Sequence, residues 1–240
     1  MSKPSSRLRW ILACGLAIGW LAAGLSCARR AGPEIRWVPI PGGTNTLGSR
    51  AGRVGEQPRV VVVAGFRMSQ AEVTVGQYLE YLNESGVACA SPQVVQRDGV
   101  WRAAVPPDEP MSHVTQADAL AFAAWVGARS GFRVRLPTAD EWEYAARGDV
   151  DGAPYPWGWA SPEARAHFKA ERPSRVAQFA PSRWRLYDVV GNVAEWTADP
   201  NLACGGSWAD RSADSLHVYR RITLPAGYRD ADLGFRLLCE

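Results

Sequence analysis

The chain has 240 residues, of which 47% are hydrophobic and 21% are charged, enough to bury one substantial core. Its net charge of +3 comes from the first 27 residues, which hold three basic residues and no acidic one. The remainder holds equal numbers of acidic and basic residues. A neutral domain is not suited to binding nucleic acid by counterion release, so we expect no nucleic-acid partner.

The N-terminus carries a predicted export signal. Lys3, Arg7 and Arg9 precede an apolar run over residues 10–25. A transmembrane helix needs about 20 apolar residues, so this run is too short to span a bilayer. Residues 1–27 are therefore interpreted as a signal peptide that is removed during export.

The signal ends at a candidate lipid-attachment site. Residues 24–27 read Gly-Leu-Ser-Cys, which resembles a bacterial lipoprotein processing site and predicts lipidation of Cys27. Gly24 stands where that pattern usually has leucine, so ordinary cleavage nearby and an uncleaved anchor are the alternatives. Ala28, in place of aspartate, favours the outer membrane over retention at the inner one. The protein is expected to be an outer-membrane lipoprotein or periplasmic.

Residues 28–35 are interpreted as a tether, and one globular domain is predicted over residues 36–240. Strands are expected at 36–40 and at 59–64, where the β-branched run is typical of a buried strand. Three capping boxes predict helices, because the side chains at the N-cap and three residues on satisfy free backbone N–H groups. These boxes are Thr74 with Gln77, Thr115 with Asp118, and Thr138 with Glu141.

Each helix has an expected packing face. Val75, Tyr78, Leu79 and Leu82 share one face of the first helix; Leu120, Ala123, Ala124 and Gly127 share one face of the second; the third carries Trp142, Tyr144 and Ala145 and ends before Gly148. Residues 148–182 are rich in Pro, Gly, Ala and Trp without a sustained period. This segment is expected to be largely loop.

A series of motifs in fixed order resembles the formylglycine-generating enzyme family, also called sulfatase-modifying factors. The main ones are Val38-Pro-Ile-Pro-Gly-Gly-Thr44, Arg135-Leu-Pro-Thr-Ala-Asp-Glu-Trp142, Leu186-Tyr-Asp-Val-Val-Gly-Asn-Val-Ala-Glu-Trp196, Gly205-Gly-Ser-Trp208 and Leu233-Gly-Phe-Arg236. The resemblance implies an α+β fold, the formylglycine-generating-enzyme-type variant of the C-type lectin fold, with little regular secondary structure.

The residues that would bind copper in this family are missing. The family's oxidases bind Cu(I) through a Cys-x-x-x-x-Cys pair near the C-terminus, and here Val218 and Thr223 are interpreted as occupying the two positions. Valine has no donor atom, and a threonine hydroxyl is a hard ligand poorly matched to Cu(I). Ala194 also replaces a tryptophan of the oxygen pocket. No copper and no formylglycine-generating activity are therefore expected.

The resemblance also implies a calcium site made of Asp188, Gly191, Val193 and Glu195, two side chains and two backbone carbonyls. Hard oxygen ligands of this kind suit Ca²⁺. The alternative is that Asp188 and Glu195 only form hydrogen bonds within their turn.

Two further groups of polar residues are candidates for a catalytic or metal-binding role. Glu141, Glu143 and Arg147 are expected to be structural. His113, His167 and His217 are far apart in sequence, yet an iron site of the 2-His-1-carboxylate kind could be assembled from them in space, so iron is an alternative cofactor.

Three cysteines follow the signal and Cys27, at positions 89, 204 and 239. In an oxidising compartment a disulfide between Cys204 and Cys239 is predicted, because the motifs that they flank are expected to lie close together. Three free thiols are the alternative. No Cys-x-x-Cys or paired-histidine spacing predicts zinc.

The segment between Trp208 and Asp232 has the composition of a recognition surface, rich in arginine and tyrosine. The C-type lectin fold places this segment on its ligand-facing side. Candidate ligand-binding residues are Trp208, Arg211, His217, Tyr219, Arg221 and Tyr228. An ordinary polar surface with arginine–aspartate pairs is the alternative.

The same segment resembles the variable region of diversity-generating retroelement receptors, since residues 209–236 contain no Lys, Glu, Gln, Met or Trp. Three functions are therefore considered. The leading one is a non-catalytic, lipid-anchored domain that binds an envelope protein or glycan; the alternatives are an oxygen-dependent metalloenzyme and a diversified receptor.

Overall fold

The protein is described by a computed structural model over residues 33–240. The predicted signal, Cys27 and residues 28–32 of the tether lie outside the described residues. Within the described part the helices are α1 (Val75–Ser85), α2 (Gln116–Ser130) and α3 (Ala139–Arg147). None of them has the length and apolar character that crossing a bilayer requires.

The strands are short, between two and five residues. In chain order they are β1 (Trp37–Ile40), β2 (Gly43–Leu47), β3 (Arg59–Val63), β4 (Phe66–Ser69), β5 (Val94–Arg97), β6 (Val100–Ala103), β7 (Val134–Arg135), β8 (Ala194–Trp196), β9 (Leu202–Cys204), β10 (Arg221–Thr223), β11 (Leu233–Phe235) and β12 (Leu238–Cys239). A short 3₁₀ helix covers Ala213–Leu216.

Two four-stranded sheets position the functional segments. The first has the order β1-β4-β12-β7, so the C-terminal strand is inserted between two strands from much earlier in the chain, β4 and β7. The second has the order β10-β9-β8-β11, and its β8–β11 pair is parallel. Gly234 of β11 allows this pairing, since a Cβ there would lie 2.6 Å from the carbonyl oxygen of Met111. Two hairpins, β2–β3 and β5–β6, complete the described strands.

The three predicted helix starts are confirmed. Thr74, Thr115 and Thr138 are N-caps with complete capping boxes, and each helix ends at a glycine in the left-handed conformation. Between Gly148 and Ser182 there is no helix or strand, only turns, bends and an isolated bridge between Tyr155 and Gly158, as the composition predicts.

Two predictions about packing are wrong. The strand at 59–64 is not buried, since Val60 is 71% and Val62 82% exposed on the outer face of the β2–β3 hairpin. In α2 the buried residues are Ala119, Phe122, Ala123 and Val126, so the face is rotated towards the aromatic side chain. Leu120 and Ala124 face solvent, because Phe122 fills the core position next to the rings of Tyr78 and Phe235.

Both clusters of the core use helix faces. One cluster surrounds Trp142 of α3. The other surrounds Tyr78, Phe122 and Phe235, whose rings contact one another. Aromatic contacts of this kind each add roughly 0.5–1.5 kcal/mol beyond the area they bury.

Candidate functional site

The turn between Leu186 and Trp196 brings together the predicted calcium residues. Asp188, Gly191 and Asn192 all have positive φ angles, which tighten the turn. Gly191 is required there, because a Cβ would lie 2.7 Å from the carbonyl oxygen of His167. The backbone N–H of Ala177 donates to Asp188 Oδ2 at 2.5 Å.

Glu195 is already strongly hydrogen-bonded. Arg236 donates to both of its oxygens, through Nε and Nη2, each at 2.6 Å. The indole N–H of Trp142 donates to Oε2 at 2.6 Å. A carboxylate has about four lone-pair positions. Glu195 therefore keeps capacity for one further ligand, and Arg236 and Trp142 are partners that sequence reasoning missed.

A third carboxylate lies in the same place. Glu72 is 2% exposed, and the side-chain amide of Asn192 donates to its Oε1 at 3.1 Å, while Oε2 has no partner. Burial raises the pKa of Glu72 well above its usual range, and the charges of Asp188 and Glu195 raise it further. Glu72, Asp188, Glu195 and Arg236 are called the carboxylate cluster.

The charges of this cluster do not balance. The buried Glu72 and Glu195 and the half-buried Asp188 face one guanidinium. Burial, followed by the charge of Glu195, raises the pKa of Asp188 to about 6. A buried polar atom without a partner is uncommon, and burying unpaired charge is costly. A divalent cation would relieve both features, so the residues fit the calcium site that the sequence predicts.

A centre for a redox metal is not assembled from side chains. Within residues 33–240 no three His, Cys, Asp or Glu side chains are grouped as a metal centre of any kind would require, so Ca²⁺ at the carboxylate cluster would depend on backbone carbonyls as well as side chains. His167 Nε2 donates to the carbonyl oxygen of Arg172 at 2.9 Å, and His217 Nδ1 lies 2.7 Å from the hydroxyl of Tyr219, so these two histidines are engaged locally.

The positions interpreted as the copper pair are structural. Val218 is fully buried in the core, and Thr223 lies at the exposed end of β10, opposite Leu202. The five cysteines are at 14, 27, 89, 204 and 239, so no Cys-x-x-x-x-Cys pair occurs anywhere in the chain.

The predicted ligand-binding residues do not form one surface. Arg211 is 62% exposed and pairs with the exposed Glu171 at 3.2 Å. Trp208 and Tyr228 are half-buried; the indole N–H of Trp208 donates to the carbonyl of Ala231 at 3.4 Å. These three residues remain available to a ligand.

The other three predicted residues lie deeper. Tyr219 is buried, and its hydroxyl lies 2.7 Å from Nδ1 of His217. Burial lowers the pKa of His217, an effect that the nearby Asp214 opposes. Sequence reasoning treated these rings as surface groups because a polar tip does not reveal that the ring body is packed.

Arg221 requires a correction, because its side chain is only 9% exposed. Its guanidinium donates to Glu143 at 2.8 Å, to Asp140 at 3.1 Å and to the carbonyl of Ala139 at 2.6 Å. It therefore ties β10 to α3 and does not reach a ligand. Glu143 also pairs with Arg147 at 2.7 Å, both fully buried, which is the structural role that was expected for them.

The predicted disulfide between Cys204 and Cys239 is wrong in this structure, in which Cys89, Cys204 and Cys239 are free thiols. The motifs do meet, but β8 lies between β9 and β11, and the chain then leaves for the other sheet before Cys239. Cys204 instead accepts from Arg221 at 3.3 Å.

Sequence reasoning missed a pair of aspartates at the exposed face. The hydroxyl of Ser207 lies 2.9 Å from Asp232 Oδ2 and 3.3 Å from Asp210 Oδ2. Burial raises the pKa of Asp232, and the charges of Asp230 and Asp210 add to that rise. The signal was present as the aspartates of the 208–232 segment, but only the fold brings positions 207, 210 and 232 together.

Known proteins of similar sequence and structure agree with this picture. An inactive C-alpha-formylglycine-generating enzyme 2 from Mus musculus is 29% identical, over 97% of this chain and 92% of its own. A formylglycine-generating enzyme from Thermomonospora curvata is 32% identical, over 71% of this chain and 74% of its own. The solved structure of Treponema denticola variable protein 1 superposes with a TM-score of 0.72 at 21% identity, covering 85% of this chain and 94% of that one.

These similarities confirm the predicted α+β fold, the formylglycine-generating-enzyme-type variant of the C-type lectin fold. Residues 25–240 match the sulfatase-modifying factor enzyme 1-like domain. That match covers most of the chain, and the chain belongs to this family.

Proposed function

We propose that this protein is an exported, lipid-anchored member of the family that has lost copper chemistry and acts by binding an envelope protein or glycan. The observation that carries the proposal is the absence of any Cys-x-x-x-x-Cys pair. Val218, at one of the two interpreted positions, is packed into the core without a donor atom. Without two soft ligands the scaffold cannot hold Cu(I) as the family's oxidases do.

The ligand is proposed to contact the exposed part of the 208–232 segment. Trp208, Arg211 and Tyr228 combine aromatic area with adaptable hydrogen bonding, as recognition surfaces do. Alanine substitution of Arg211 and of Tyr228 should each weaken capture of the partner. The melting temperature should stay within about 2 °C for Arg211, which is 62% exposed, and should fall further for Tyr228, whose ring packs against the core.

Calcium is proposed as a structural ion at the carboxylate cluster. Asp188 and Glu195, with the carbonyls of Gly191 and Val193, would hold it, and the unpartnered Oε2 of Glu72 supports a cation nearby. When bound, Ca²⁺ supplies positive charge that offsets buried carboxylates. Its effect would be to stiffen the turn that precedes β8.

The test combines an activity assay with a metal titration on the full-length chain in Ca²⁺. A sulfatase-derived cysteine peptide is incubated with the protein, Cu(I) and oxygen, and conversion to formylglycine is followed by mass spectrometry. We expect no conversion and no tight binding of Cu(I) or Fe(II). Conversion would overturn the proposal, and stoichiometric Fe(II) binding would favour the oxygen-dependent metalloenzyme.

Export and anchoring are tested separately in bacterial cells. Metabolic labelling with palmitate should label the protein, and a Cys27→Ala variant should lose the label and leave the membrane fraction. Cys14→Ala is the matched control and should retain both. A labelled Cys27→Ala variant would contradict the proposed attachment site.

The diversified receptor is a second candidate, favoured by the biased composition of residues 209–236. A near-copy of that coding segment beside a reverse transcriptase gene would support it. Its absence from the genome would remove this candidate and leave a fixed recognition surface.

A further inference from the structure

A cavity of about 310 Å³ lies between the starts of the first two helices and the end of the 208–232 segment. It is called the Arg229 cavity. Its polar lining consists of Tyr78 from α1, Asp118 from the first turn of α2, and Cys89, His113 and Arg229 from loops. These residues do not belong to the carboxylate cluster and were not predicted as a site.

The cavity presents two opposite charges that do not pair with each other. Arg229 is exposed and forms no hydrogen bond or ion pair with a described residue. Asp118 Oδ2 accepts from the backbone N–H of Thr115 at 2.9 Å and from its hydroxyl at 2.7 Å, whereas Oδ1 has no partner within residues 33–240. A guanidinium and a carboxylate oxygen are both therefore available to a ligand.

The floor of the cavity carries a polar group that also lacks a partner. Tyr78 is 3% exposed, and its hydroxyl forms no hydrogen bond within the described part of the chain. Burial strongly raises the pKa of Tyr78, and the charge of Asp118 raises it further, so the hydroxyl stays protonated and can donate. A hydroxyl without a protein partner at the wall of a cavity is suited to bonding a ligand.

The thiol in this cavity is a weaker nucleophile than an exposed cysteine, yet Cys89 is only half-buried and an alkylating reagent can reach it. Burial raises the pKa of Cys89, with Asp118 adding to the rise and Arg229 opposing it. A protonated thiol is a poor nucleophile. The geometry therefore favours reversible binding over covalent chemistry.

We propose that the Arg229 cavity binds a small zwitterion of the α-amino acid class, with the ligand carboxylate on Arg229 and its ammonium group on Asp118. Arginine binds carboxylates through two parallel N–H donors, and a carboxylate oxygen accepts from ammonium. The hydroxyl of Tyr78 supplies a further bond. The inference rests on the proposed function in taking the domain as a binding module, and it names the ligand class.

The experiment uses Cys89 as a reporter in the full-length protein. Alkylation by iodoacetamide is followed at each cysteine by mass spectrometry. An equimolar mixture of the nineteen protein amino acids other than cysteine, whose thiol would consume the reagent, is used at about 20 mM in total and compared with the same mixture N-acetylated and C-amidated, which carries neither charge at the backbone. We expect the free amino acids to slow alkylation of Cys89 about threefold or more and the blocked mixture to leave it unchanged.

Substitutions separate the two charges. Arg229→Gln and Asp118→Asn should each abolish the protection, because each removes one half of the complement to a zwitterion. Arg50→Gln and Glu80→Gln, which remove exposed charges elsewhere, should retain it. Alkylation of the buried Cys204 and Cys239 reports unfolding, so a loss of fold is recognised directly.

Either of two results overturns the inference: no protection by free amino acids, or equal protection by the blocked mixture. These outcomes are independent of the copper assay. Formylglycine formation would refute the proposed function and leave amino acid protection unaffected, whereas absent protection would refute the cavity assignment alone.

Discussion

Removing the guanidinium of Arg236 should strongly destabilise the domain. The Arg236→Met variant keeps side-chain volume and leaves Glu195, which is 1% exposed, beside the buried Glu72 and the half-buried Asp188. Breaking a buried pair by removing one partner costs about 3–5 kcal/mol. For a domain of this size that is a fall of about 10 °C in melting temperature.

The assay is urea denaturation at pH 7, with and without Ca²⁺. Arg133→Met is the matched control: Arg133 is 75% exposed and pairs with Glu240, so its loss should cost under about 1 kcal/mol. Calcium should reduce the loss of unfolding free energy in Arg236→Met, because the cation offsets the carboxylate charge that has lost its arginine partner. If Arg236→Met does not fold, Arg236→Lys keeps the charge, loses the two-point contact and should show a smaller loss.

Equal losses of unfolding free energy in Arg236→Met and Arg133→Met would show that the buried ion pair does not stabilise the domain. If Arg236→Met loses about 3–5 kcal/mol, as expected, and Ca²⁺ does not change that loss, the result would support the ion pair and argue against calcium at the cluster.

Three further outcomes are expected. Asp232→Asn should raise the free energy of unfolding at pH 7 by up to about 1 kcal/mol, and this difference from the wild type should shrink towards pH 4. The reason is that the pKa of Asp232 is raised in the folded state, so the wild type loses stability as the pH rises from the unfolded pKa of about 3.8 through the folded pKa. A difference that grows in acid would contradict this. Thiol labelling of the non-reduced, urea-unfolded protein should modify both Cys204 and Cys239, because both are free thiols. If the two cysteines are labelled only after reduction, they form a disulfide after all. Ca²⁺ should raise the melting temperature of the wild type but not of Asp188→Ala, whereas an equal rise in both would place the ion elsewhere.

Local sequence determined the helices. Each start depends on a threonine and a residue three positions on, and each end on a glycine that adopts the left-handed conformation, so all the information lies within one element. The order of the motifs similarly predicted the family and the fold. The missing cysteine pair is a property of the chain itself and needs no structure.

The partners of charged side chains were decided by tertiary structure. Arg221 was assigned to a ligand surface from its neighbours in sequence, but it contacts α3, about 80 positions earlier. Asp188 and Glu195 belong to one turn and interact electrostatically. Arg236 reaches them because β11 pairs with β8, and Glu72 because the backbone N–H of the next residue, Val73, donates to the carbonyl of Phe235 of β11.

The error over Cys204 and Cys239 has the same origin. The expected spatial proximity of the flanking motifs predicted contact, but a strand can pair on two sides, and β8 separates β9 from β11. The chain alone thus determines where helices begin and end and which donor atoms are available. Which buried charges meet depends on the order of the strands, since that order sets the distances between residues far apart in sequence.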